Sequence, residues 1–108
     1  MDKVDLLQGT LDMLVLKALS RGPMHGYAVA RWIQQTSDDA LQVEEGSLYP
    51  ALYRMERRAW ITSVEGLSEN NRKARHYKLT RLGRKQLEAE SSNWDRVAEA
   101  IAKVMQTA

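Results

Sequence analysis

The sequence predicts a mainly helical α+β domain, on three observations. Apolar residues recur at helical spacing in three segments before residue 60. Two β-branched and aromatic runs follow, separated by a polar, turn-prone stretch, and a last proline-free segment keeps helical spacing almost to the C-terminus. With 108 residues, 44% hydrophobic and 28% charged, the chain has the size and composition of one domain with one core.

The first helix is expected over Leu11, Leu14, Val15, Ala18 and Leu19, which follow the i, i+3, i+4, i+7, i+8 pattern. Thr10 is placed to cap it and Asp12 falls in its first turn, while Arg21-Gly22-Pro23 stops it. A second helix is expected from Gly26 to Thr36, burying Tyr27, Val29, Ala30 and Ile33, with Arg31 and Trp32 off that stripe. His25-Gly26 reads as its start and Ser37-Asp38-Asp39 as its break; Leu41 and Val43 fit a very short strand or an extended linker.

The third helix has Ser47 as a good N-cap, Pro50 in a first turn where its missing amide costs nothing, and Leu48, Leu52 and Met55 as the buried stripe. Residues 60–65 and 75–80 are the two strand-like runs, and Gly66 to Ala74 between them makes the long tip of a β-hairpin. From Thr80, a natural N-cap, a last helix extends towards Gln106 with its one glycine, Gly83, in the first turn. The order helix, helix, helix, hairpin, long helix is that of a winged helix-turn-helix with an appended C-terminal helix. Residues 6–80 are expected to form the first unit and 81–106 the second.

Function classes narrow quickly. There are no cysteines, and the two histidines have no metal-ligand spacing around them, so no metal and no cofactor is expected. No nucleophile elbow, phosphate loop or paired catalytic carboxylate is present, which argues against an enzyme. The start lacks signal-peptide character and no apolar run is long enough to span a bilayer, so a soluble cytoplasmic protein with no membrane partner is expected. Net charge is only +2, but residues 1–51 hold four basic and seven acidic side chains, 52–85 hold ten and three, and 86–108 hold two and four. A positive field confined to one segment suits a polyanion while leaving the rest near neutral.

With Leu48, Leu52 and Met55 turned inward, the helical period places Tyr49, Tyr53, Arg54 and Arg57 on the opposite and flanking faces. Arginine can pair bidentately with guanine, and tyrosine can reach phosphate or base edges. The candidate double-stranded-DNA contacts are Ser47, Tyr49, Pro50, Tyr53, Arg54 and Arg57 on the third helix, with Asn71, Arg72, Lys73 and Arg75 at the hairpin tip. Arg81, Arg84 and Lys85 are further candidates for phosphate. Each has a plainer reading as a packing residue or solvated surface, and a winged helix used only for protein interaction stays open as the alternative.

The segments Gly22-Pro23-Met24-His25-Gly26-Tyr27, Gly46-Ser47-Leu48-Tyr49-Pro50-Ala51-Leu52, Asn71-Arg72-Lys73-Ala74-Arg75-His76-Tyr77 and Leu79-Thr80-Arg81-Leu82-Gly83 resemble, in order and spacing, the PadR-like transcriptional regulators. The likeness covers about residues 6 to 90. It implies a winged helix-turn-helix repressor that binds operator DNA, with a recognition helix from Gly46-Ser47, a wing at Asn70 to Arg75 and a homodimer held by the last helix. It also implies release by a small molecule. The short tail is similar to compact members with one C-terminal helix. Leu87, Trp94, Val97, Ile101 and Val104 repeat at spacings of seven, three, four and three, a narrow seam suited to burial between two copies. Trp94 is also the candidate contact for a small apolar or aromatic effector, with plain dimer packing as its other reading.

Overall fold

The computed structural model describes residues 8–67 and 70–108. Its elements are α1 (Gln8–Leu19), β1 (Met24–His25), α2 (Gly26–Thr36), α3 (Glu45–Arg57), β2 (Ile61–Leu67), β3 (Lys73–Leu79) and α4 (Arg81–Met105). The three strands form one antiparallel sheet in the order β1-β3-β2. This is the winged helix-turn-helix expected, with the long helix appended.

α1 is the central element, touching α2, α3, β3 and α4. Leu11, Val15, Ala18 and Leu19 are buried as expected, and so is Leu16, because a helix surrounded on several sides buries more than one stripe. Thr10 does not cap this helix; it lies inside it, and residues 6 and 7 of the expected first unit lie outside the described residues. Asp12 is also buried, at 5% exposure.

α2 spans the expected residues, but its inward stripe is Gly26, Val29 and Ile33. Tyr27, expected inside, is exposed at 59%, whereas Trp32, expected off the stripe, packs against the core. Of the two sets expected inside, the spacing-four pair Val29 and Ile33 is buried, while Tyr27, six residues before Ile33, turns outward. His25 caps the helix, its Nδ1 accepting from the Ala28 N–H at 3.2 Å. Two successive left-handed residues, Asp38 (φ 53°) and Asp39 (φ 65°), end it. Leu41 and Val43 then run as a strandless linker with both side chains half-buried against the core.

α3 begins earlier than its sequence signals suggest. Glu44 is the capping position and makes no side-chain cap, while Ser47 lies inside the first turn with its N–H already bonded to the Glu44 carbonyl at 3.0 Å. Pro50 consequently stands within the helix beyond the first turn. Its ring faces the carbonyl four residues back, which belongs to Gly46, a residue able to yield. The helix closes with Trp60 N–H donating to the Met55 carbonyl and Ala59 N–H to the Glu56 carbonyl, both at 3.0 Å, around a left-handed Ala59 (φ 62°).

The strands are longer than composition suggested, reaching Leu67 and starting again at Lys73, because cross-strand pairing continues into the polar stretch. Of the expected tip, Ser68 and Glu69 lie outside the described residues. β1 was not anticipated: two residues before α2 pair with β3, Met24 opposite Tyr77 and His25 opposite His76. Thr80 caps α4 as expected, accepting from the Gly83 N–H at 3.0 Å while its hydroxyl donates to the Ala59 carbonyl at 2.6 Å. Gly83 is required there, since a Cβ would overlap the Trp60 carbonyl oxygen.

From Ser91 onward every residue of α4 is exposed. The radius of gyration is 15.1 Å, with a longest extent of 56 Å. A compact chain of this length would have about 13 Å. The projecting half of α4 accounts for the excess.

Candidate nucleic-acid interface

Five of the six predicted α3 contacts are exposed: Ser47, Tyr49, Pro50, Tyr53 and Arg57. Tyr49, Pro50, Tyr53 and Arg57 recur at spacings of one, three and four and so share one face, with the Arg57 guanidinium 5.7 Å from the centroid of the Tyr53 ring. Arg54 is placed differently. It sits roughly 90° round the helix from the middle of that stripe, and its Nη2 lies 3.1 Å from Asp12 Oδ1 of α1. Arg54 therefore faces the body of the protein, with its Nε buried and without a partner.

Burial raises the Asp12 carboxyl above its ordinary value, against the opposing attraction of Arg54 and, more weakly, Arg58. The pair is a structural tie between α1 and α3. Ser47 is exposed but is not the N-cap expected, its amide being already bonded within the helix, and Glu44 and Glu45 bring negative charge to that end.

A groove of about 980 Å³ opens between α2, the start of α3 and the hairpin. Tyr49 forms part of its wall and leans over the start of α2, its ring atoms 3.0 to 3.3 Å from where a Gly26 Cβ would be. Asn70, Arg72, Lys73 and Arg75 of the wing line the opposite side, and Asn71 adopts a left-handed turn (φ 60°) just before Arg72. Among the described residues, no Asp or Glu lines the groove. Tyr77 forms part of the lining, and burial raises its phenol above the ordinary value, so it remains a neutral O–H.

Sequence reasoning missed the α2 wall. Tyr27, Arg31 and Gln35 line the groove, and the Arg31 guanidinium stands 5.6 Å from the Tyr27 ring centroid. The signal was present: these residues recur every fourth position, opposite the Val29 and Ile33 stripe. The dimer candidates separate into two groups. Leu87 is partly buried against the protein's own core, whereas Trp94, Val97, Ile101 and Val104 are all exposed.

A helical core, a three-stranded sheet carrying a hairpin wing, and a basic aromatic groove beside the third helix define a winged helix-turn-helix protein with an interface shaped for nucleic acid. The profile of the PadR-like transcriptional regulator family matches residues 15–89. The fold is similar to a solved transcriptional regulator from Clostridium thermocellum, with TM-score 0.83 and 27% identity, covering 93% of this chain and 97% of that one. It is similar also to a PadR-like transcriptional regulator from Bacillus cereus, with TM-score 0.79 and 27% identity, covering 94% and 97%. In sequence, an uncharacterized 37.1 kDa protein of a Streptomyces fradiae transposon is 42% identical over 89 residues. That match takes in 82% of this chain, which spans only 24% of that relative.

The chain belongs to the PadR-like family of transcriptional regulators. As such it is a DNA-binding regulator and not an enzyme. Among the described residues, no helix is long and apolar enough to cross a membrane.

Proposed function

We propose that the protein is a homodimeric, cytoplasmic repressor that binds one double-stranded operator sequence-specifically and is released by a small apolar or aromatic effector. Residues 6–80 form the DNA-binding unit in this reading, and 81–106 the dimerisation helix. Tyr49, Pro50, Tyr53 and Arg57 enter the major groove, while Asn71, Arg72, Lys73 and Arg75 of the wing, with Arg31 of α2, hold backbone phosphates. Trp94 contacts both the second copy and the effector. The observation that carries the reading is the groove: cationic and phenolic side chains from three elements converge there with no described carboxylate among them.

A mobility-shift titration across ionic strength tests it. Affinity for a selected duplex falls steeply with salt. Replacing Arg72 and Lys73 with alanine weakens binding almost uniformly across sequences and flattens the log–log salt slope by about 0.9 for each cation. A winged helix used only to bind proteins shows no salt-sensitive, sequence-selective shift.

A further inference from the structure

Among the described carboxylates near the basic wing, which include Glu65 opposite Arg75, Glu56 makes contacts that set it apart from a solvated surface group. Glu56 lies on the flank of α3 that faces the sheet. Its Oε2 accepts from Ser63 Oγ of β2 at 2.8 Å, and its Oε1 stands 4.0 Å from Arg75 Nη1 of β3. Ser63 pairs with Tyr77 and Arg75 with Glu65, so the two contacts lie on the same face of adjacent strands, two residues apart in register. A single side chain of α3 thus reaches both strands of the wing.

A negative charge here opposes attraction to a polyanion, so its presence weakens binding to any duplex alike. Its geometry offers something in exchange. The guanidinium is a planar fork with donors on more than one edge; with Glu56 4.0 Å from one terminal nitrogen, the others can still meet phosphate.

We propose that Glu56 is a positioning residue that couples the wing to the recognition helix, lowering affinity for DNA in general and raising discrimination between sequences. Resting on the DNA-binding reading above, the role follows from rigidity. When wing and helix move as one body, a helix misplaced on a wrong sequence also misplaces Arg75 on the backbone. When they are uncoupled, the wing settles on phosphate wherever the helix lies.

The test uses the full chain, a duplex selected from a random pool by the unaltered protein, and a scrambled duplex of equal length and composition. Glu56→Gln keeps the size of the side chain and an acceptor for Ser63 but removes the charge that aligns Arg75. Its affinity for the scrambled duplex stays equal or tightens, and the selected-to-scrambled ratio falls about fivefold. In an Arg75→Gln background the same change lowers the ratio no further. Amide exchange in free Glu56→Gln protein quickens over β2 and β3 but not over α1.

An unchanged ratio overturns the proposal. So does an equal loss on both duplexes accompanied by a lower Tm, which marks a merely structural carboxylate. If the unaltered protein prefers no selected duplex, the regulatory reading itself fails, and the exchange experiment still decides whether Glu56 restrains the wing.

Discussion

Two residues show how local chemistry and tertiary position disagree. Asp12 is a carboxylate buried beside the Arg54 guanidinium, and desolvation outweighs the attraction, so the folded protein keeps the proton more tightly than the unfolded chain does. Arg54→Ala leaves that carboxylate buried without its partner and is expected to cost about 3 kcal/mol near neutral pH. The variant's Asp12 value rises further. Its penalty is therefore complete at high pH and shrinks as the pH falls through the raised value towards the ordinary carboxylate range; urea unfolding at about pH 7 and about pH 5 measures the difference. Ala59 holds a left-handed conformation at the end of α3, where glycine has no Cβ to strain. Ala59→Gly is expected to raise stability by about 0.5 to 1 kcal/mol, seen as a higher denaturant midpoint at unchanged slope.

At the scale of elements, α3 divides its sides among three tasks. Leu48, Ala51, Leu52 and Met55 anchor it, Arg54 ties one flank to α1 and Glu56 ties the other to the wing, leaving Tyr49, Pro50, Tyr53 and Arg57 as the outward stripe. The two arginines are therefore expected to respond oppositely. Arg57→Ala relaxes base preference at one operator position by about 1 to 3 kcal/mol with little change in melting temperature. Arg54→Ala lowers stability and leaves the ranking of operator variants unchanged. Competition binding on a panel of single-base operator changes, paired with thermal melts, separates them.

The molecule is elongated because, among the described residues, half of α4 has nothing to rest on. Trp94 and Ile101 are 47% and 54% exposed on one side of that helix. In the proposed dimer, a second copy covering this stripe would remove apolar surface from water and set two copies of α3 on half-sites about 34 Å apart. In sedimentation, the Trp94→Ala, Ile101→Ala double variant is expected to run as a monomer while retaining the wild-type helical signal. A dimer that persists removes this seam from the account.

Much of the fold was legible from local signals: α2 runs over the residues expected, Thr80 caps α4, and hairpin and helix follow in the expected order. Those features depend on hydrogen bonds and periodicities spanning a few neighbouring residues, which a linear sequence displays directly. The α3 stripe and the wing cations were legible for the same reason. What remained hidden depends on contacts distant along the chain: Arg54 paired with Asp12, the strand at Met24–His25, and Tyr27 and Arg31 on the groove wall. Helical period narrows a side chain to a face, but which neighbour occupies that face is decided when α1, α3 and the sheet close on one another.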